Sequence, residues 1–327
     1  MTRQRSSSWN HFGVRGPDGM LEALPLHGWM YRPDYHYLYL PTDGKQLFTV
    51  EWHTVNLKSG EISETLSTMP PEARIAGTPV ACSSRIYVLG GYCRGDLFCP
   101  DKRFKTSHFH NCVFYFDSAR PDCGWKKGPP MLVPRESPSA VAAGGKIYVF
   151  GSTRFVDVKA HFAEVFNVEL NRWEKLPPPP ADSALVPRSV SDHVLLDSSR
   201  SRILVHFESN NSLHAFHTDS GSWECLDPEF GMWSTASVIV GDFAYFVFDL
   251  GEDWSGKCIT SFRAYHLVDK KWFPVKWLSD PELMDPFLHL LHLGNGRMCF
   301  YAGMIGFGAL NQDSPLTQAL ISIMPPS

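Results

Sequence analysis

Three arginines stand at the same place in successive stretches of this chain: Arg74 in Pro-Glu-Ala-Arg74, Arg135 in Leu-Val-Pro-Arg135 and Arg188 in Leu-Val-Pro-Arg188. A guanidinium presents a rigid planar fork of donors that matches a carboxylate, a phosphate or a carbonyl edge. Three of them meeting at one mouth would hold an anionic or acceptor-rich ligand. Singly, each would instead brace its own stretch by bonding a neighbouring carbonyl. In the next stretch the same place reads Phe230-Gly-Met-Trp-Ser234, where Trp233 offers either a flat apolar wall or ordinary loop packing. Arg74, Arg135, Arg188 and Trp233 are therefore the candidate ligand-binding residues, and no catalytic residue is assigned.

Other chemistry-bearing groups are less well placed. His108, His110 and Cys112 alternate, so on a strand they share one face, but no fourth ligand accompanies them. His289 and His292 fall on opposite faces of any strand that holds both. Neither group makes a metal site, and no cofactor is expected. The chain has no Gly-x-Ser-x-Gly elbow, no His-Glu-x-x-His run and no phosphate loop of the Gly-x-x-x-x-Gly-Lys form. Five of the eight cysteines lie between Cys82 and Cys123 without the paired spacing of a structural zinc site, so free thiols are expected.

The whole chain bounds these readings. A net charge of −4 and an apolar content of 43% describe a chain that can bury a large core and has no general attraction for nucleic acid or anionic lipid. The longest apolar stretch, 236–250, is interrupted by Asp242, which disfavours a membrane span. The N-terminal residues lack the apolar region of a secretory signal, so a cytosolic or nuclear location is expected.

The elements that must position the arginines are legible as a repeat. A short strand pattern occurs six times: Gln46-Leu-Phe-Thr-Val50, Arg85-Ile-Tyr-Val-Leu89, Lys146-Ile-Tyr-Val-Phe150, Arg202-Ile-Leu-Val-His206, Phe243-Ala-Tyr-Phe-Val247 and Arg297-Met-Cys-Phe-Tyr301. Turn residues precede each copy, among them Ser83-Ser84, Gly144-Gly145 and Gly241-Asp242, which suit tight hairpins. A second strand follows, with a large apolar residue seven positions on: Val55 to Ile62, Phe166 to Trp173, Phe216 to Trp223 and Tyr265 to Trp272. In the second copy the pair is Tyr115 to Trp125, with three residues extra. Each unit reads as four short antiparallel strands.

Ala142-Ala-Gly-Gly-Lys-Ile-Tyr-Val-Phe-Gly151, followed by Ala163-Glu-Val-Phe-Asn-Val-Glu-Leu-Asn-Arg-Trp-Glu-Lys-Leu-Pro177, resembles a kelch repeat almost in full. Ile86 to Gly91 supplies the double glycine again. Later units depart from it and look like divergent kelch-like domains of plants. The resemblance implies an all-β fold, a six-bladed kelch-type β-propeller. Residues 1–34 would form an N-terminal arm and 35–327 the propeller.

The last unit shows only three strands, near 287–293, 297–301 and 317–323. An N-terminal strand within 8–31, carrying Trp9 or Trp29, is therefore expected to complete it. Many plant kelch proteins carry an F-box ahead of the propeller, but the residues before the first strand hold too many breakers for one.

Strand alternation sends the second-to-third loops, 90–111, 151–162, 249–261 and 302–316, to the same end as the arginine-bearing connections. The chain thus reads as a stand-alone recognition module that takes a protein partner, or a small anionic or acceptor-rich ligand, on its loop-rich face. The alternative is a small-molecule isomerase, cyclase or lyase of plant specialised metabolism, with the arginines polarising substrate in an axial pocket.

Overall fold

The computed structural model describes residues 8–15, 21–24, 49–55, 62–70, 77–93, 108–135, 138–151, 162–180, 190–197, 201–207, 211–230, 236–252, 258–275, 288–294, 297–302 and 317–322. They form two compact units, one of residues 1–15 and 19–178 and the other of 16–18 and 179–327.

In the first unit, β1 (Ser8–Arg15), β2 (Leu21–Leu24), β3 (Thr49–Val55) and β4 (Ile62–Thr68) make one sheet in the order β2-β1-β3-β4. A second sheet is an antiparallel meander that opens with β5 (Thr78–Cys82) and β6 (Arg85–Leu89) and is interrupted by an inserted stalk. The stalk is the two-stranded pair β7 (Tyr92–Cys93) and β8 (His108–Phe109). The chain then adds β9 (Val113–Asp117), which pairs with β6, and β10 (Trp125–Lys127) at the edge. The third sheet runs β11 (Ser139–Ala143), β12 (Lys146–Phe150), β13 (Ala163–Asn167) and β14 (Arg172–Lys175) in chain order.

The second unit repeats the plan. β15 (Val190–Leu196), β16 (Arg202–Phe207), β17 (Ser212–His217) and β18 (Ser222–Asp227) form one meander. β19 (Ala236–Val240), β20 (Phe243–Glu252), β21 (Cys258–His266) and β22 (Lys271–Pro274) form another. β23 (Leu288–Gly294), β24 (Arg297–Ala302) and β25 (Thr317–Ser322) make a three-stranded sheet among the described residues.

The seven-residue spacing has a simple cause. Phe166 lies directly across from Trp173, Phe216 from Trp223 and Tyr265 from Trp272, and each pair is separated by a four-residue turn and one flanking pair. The fourth turn residue takes the left-handed conformation in all three: Asn171 at φ 52°, Gly221 at 67° and Lys270 at 56°. The chain therefore returns in register, and the ring centroids lie 5.0–5.1 Å apart, tilted in the Phe166–Trp173 pair and edge-to-face in the other two. Each buried aromatic of this kind contributes about 1.5–3 kcal/mol by leaving water. The inner hairpins close through two-residue turns, with Cys82 opposite Arg85, Ala143 opposite Lys146 and Val240 opposite Phe243. Gly144 and Gly145, at φ 55° and 73°, supply the doubly left-handed turn that matches strand twist.

Cores form where neighbouring sheets meet within a unit. Tyr87, Leu89, Val113, Met131, Val149 and Phe166 pack together in the first unit, and Leu204, Ala215, Phe230, Phe246 and Tyr265 in the second. At the turn end of the second sheet, Asp117 accepts hydrogen bonds from Ser84, from the Ala119 amide and from Arg120, so the β5–β6 and β9–β10 turns are tied to one carboxylate.

The structure corrects four expectations. Trp125 faces Phe116, not Tyr115, because the 3-10 turn Pro121–Cys123 and Gly124 lengthen that hairpin by two residues rather than three. Residues 49–55 are one strand, not the end of one and the start of another, since Glu51-Trp-His-Thr54 contains no turn former. Most of the expected loop 249–261 is paired strand, with Phe248 opposite Ser261 and Glu252 opposite Cys258. The described part of the expected closing segment, β1 and β2, lies in the first sheet: β1 pairs in parallel with β3, Trp9 opposite Val50, while β2 folds back on β1 as a hairpin. β1 thus pairs with β3 over residues 8–13 and with β2 over residues 12–15. Residues 25–31, with Trp29, lie outside the described residues.

Candidate functional site

Arg135 sits in the connection between β10 and β11 and is the one candidate site residue that the described chain includes; Arg74, Arg188 and Trp233 lie outside it. The Arg135 side chain is fully buried. Its Nε donates to Glu164 Oε1 at 2.8 Å, and its Nη1 donates to the carbonyl oxygens of Gly151 and of Phe162, the latter at 3.2 Å. The other oxygen of Glu164 accepts the Leu132 amide at 2.7 Å. A fully desolvated cation is tolerated only when paired and hydrogen-bonded, and this one is both. Burial pulls the guanidinium below arginine's ordinary range and the Glu164 carboxylate opposes that shift, so the residue stays a cation. Of its two expected roles, Arg135 fills that of the brace.

The backbone of the same residue holds a second set of partners. The Arg135 amide donates to the His110 carbonyl at 3.1 Å, and the Arg135 carbonyl accepts the Gly91 amide at 3.1 Å. His110 in turn donates to Gly91, and Gly90 donates to Cys112. Gly90 must be glycine here: its φ is +70°, and a Cβ would lie 2.5 Å from the Arg135 carbonyl oxygen. One residue therefore fixes the bases of two second-to-third connections. Its backbone holds the foot of the β7–β8 stalk, and its side chain holds Gly151 and Phe162, which also bond to each other at 2.9 Å.

Glu164 was not among the expected site residues. Its signal was present, since a carboxylate in the buried run Ala163-Glu-Val-Phe166 requires a partner. The partner lies 29 positions away, and no local pattern names it. The equivalent position, two residues before the aromatic that faces the tryptophan, holds Phe114, His214 and Arg263 in the other meanders. Among these, the carboxylate is found in the third sheet alone.

His110 bridges to Arg135, and Cys112 packs on the Ile86, Val88 and Phe114 cluster, so this alternating run is divided between the brace and the core. No group of three potential metal ligands gathers among the described residues. Cys82, Cys112, Cys123 and Cys225 are free thiols. His289 and His292 both lie in β23, opposite Tyr301 and Met298. No helix among the described residues is long and apolar enough to cross a membrane.

Residues 70–234 match a family described as "Protein of unknown function (DUF1668)". The chain is 26% identical over 249 residues to F-box/kelch-repeat protein At2g44630 of Arabidopsis thaliana, covering 72% of this chain and 59% of that protein. It is 28% identical over 238 residues to Putative F-box/kelch-repeat protein At4g35120 of the same plant, covering 70% and 52%. The chain thus spans about half the length of the curated relatives it matches. Among solved structures it is similar to that of YjhT, with a TM-score of 0.58 at 13% identity, over 96% of this chain and 94% of the other. The fold is an all-β propeller, and the homologues are plant F-box/kelch-repeat proteins.

Proposed function

Because the chain belongs to the DUF1668 family and its homologues are plant F-box/kelch-repeat proteins, we propose that it is a kelch-type recognition module whose loop-rich end takes a protein partner. The observation that carries this reading is the Arg135 knot. It fixes the feet of two connections that are longer than a hairpin needs, on adjacent sheets, at one end of the first unit. Rigid feet under long variable segments are how a β scaffold presents a binding surface.

The six repeat copies favour a six-bladed count. Arg74 and Arg188 enter sheets whose equivalent strand positions hold Phe114 and His214 rather than a carboxylate. Their guanidinium forks are therefore the ones we assign to ligand contact, as we do the Trp233 ring.

Photocrosslinking residues placed at Leu97 and Phe155, and as controls at Lys126 and Glu174 on the outer strands, test the proposal in plant tissue extract. Protein adducts formed from the first pair and absent from the second support the loop-rich end as the interface. Equal labelling from both, or none from the loop positions, counts against it.

A further inference from the structure

We propose that Cys225 is a modification site, where the His214 imidazole takes the thiol proton so that the sulfur forms a mixed disulfide with a low-molecular-weight disulfide. The site does not depend on the recognition reading above. The observation behind it is a cross-strand pair. In the fourth sheet His214 of β17 and Cys225 of β18 are direct register partners, next to Ala215 with Glu224 and two steps from Phe216 with Trp223. Directly opposed residues of an antiparallel pair project to one face with their Cβ atoms about 4.5–5.5 Å apart. A thiol and an imidazole carried on such a pair can meet through a rotamer change of the cysteine.

The two halves of the pair sit in different surroundings. His214 is 2% exposed, and its Nε2 lies 3.0 Å from the Oγ of Ser212, which is equally buried. Phe207 packs edge-to-face with the imidazole at 4.9 Å. The ring is therefore held by a hydrogen bond and by packing. In the tautomer whose Nε2–H donates to Ser212, the lone pair that accepts a proton is on Nδ1. Cys225, by contrast, is exposed on the outermost strand of its sheet, where a small disulfide can reach it. Glu224 and Asp227, the carboxylates of β18, are bonded to His217 and Tyr265.

The equivalent pair in the other four-stranded meanders is Phe114 with Lys127, Glu164 with Lys175, and Arg263 with Pro274, none of which joins a nucleophile to a base. Cys123, also exposed, lies in the 3-10 turn between β9 and β10, a hairpin whose sequence holds no histidine. It is a built-in control. In the proposed step the Cys225 S–H proton passes to His214 Nδ1, and the thiolate attacks one sulfur of the disulfide. A new S–S bond forms at Cys225 as the old one breaks. The departing thiolate takes the proton from the imidazolium and leaves as a thiol, so Cys225 is oxidised, the departing sulfur is reduced and His214 ends neutral.

The test treats the full chain with 2-hydroxyethyl disulfide, an uncharged probe on which Lys126 and Lys127 near Cys123 exert no steering, and quantifies the modified cysteines by peptide mass spectrometry. At neutral pH Cys225 should be modified at least about threefold faster than Cys123. The ratio should fall as pH is raised to about 10, where thiols ionise without a base. His214→Gln should abolish the advantage of Cys225 and leave the rate at Cys123 unchanged. If that variant fails to fold, the pH profile of the wild-type protein decides, because a difference in exposure alone gives a ratio that does not move with pH. Equal rates at neutral pH, faster modification of Cys123, a ratio independent of pH, or an advantage that survives in folded His214→Gln overturns the proposal.

Discussion

Replacing Arg135 by methionine removes the centre of the knot, and the structure sets the size of the effect. The Glu164 carboxylate, whose side chain is only 2% exposed, would keep one hydrogen bond, from Leu132. Stranding one member of a buried ion pair costs about 3–5 kcal/mol. The Gly151 carbonyl loses its guanidinium donor, which adds about 1–3 kcal/mol for a buried acceptor left unmade. Phe162 keeps the Gly151 amide, and Leu132 is exposed enough for water to replace Glu164.

The double variant Arg135→Met, Glu164→Met should therefore cost less than either single change, because no unpaired charge remains. Chemical denaturation gives the three free energies, and amide exchange at Gly91 and Gly151 reads the loop feet directly. Exchange should accelerate in Arg135→Met at Gly151 above all, since its partner frame loses the side chain. An Arg135→Met protein within about 0.5 kcal/mol of wild type, or a double variant no more stable than the singles, would refute the bracing argument.

Gly90→Ala forces a Cβ against the Arg135 carbonyl at a positive φ, so a loss of about 1–3 kcal/mol and faster exchange of the Gly91 amide are expected by melting and hydrogen exchange. Asp117 is held below the ordinary carboxylate range, chiefly by its hydrogen bond with Arg120 and also by the Ala119 amide and Ser84. A depressed carboxylate stabilises the fold above its unfolded pKa of about 3.9, and that stability is lost as pH falls through the lower folded value. Melting temperature measured from neutral pH downward should thus fall more steeply below about pH 4 for wild type than for Asp117→Asn. Lys270→Gly should stabilise by about 0.5–1 kcal/mol in thermal melts, because Lys270 sits at φ 56° where the equivalent turn has Gly221.

The meanders were legible in the sequence wherever local chemistry dictated them. Turn pairs such as Gly144-Gly145 and the seven-residue step from Phe166 to Trp173 encode hairpin geometry within a dozen residues, and both appear as read. Trp125 escaped by one position, because a 3-10 turn cannot be counted from spacing alone. The β20–β21 ribbon was taken for loop from its place in the repeat, while the strands continue past Asp249 through a register shift. The N-terminal strand was assigned by a global argument about unpaired edges, and a parallel neighbour in the first sheet satisfied it instead. Arg135 was found because it recurs, but its role was fixed by Glu164 on a distant strand. Periodicity reports which positions matter and is silent on long-range charge pairing.

The two loop feet also divide the chain by the constraint that acts on it. The Arg135 bonds described above end on backbone atoms or on Glu164, so none of them depends on which side chains stand between Cys93 and His108 or between Gly151 and Phe162. The intervening segments are in effect exchangeable cassettes. Those bonds leave the length and composition of the segments free to drift or to be replaced by design. A lineage that keeps Gly90, Gly91, Arg135, Gly151 and Glu164 keeps these bonds while it changes one cassette at a time.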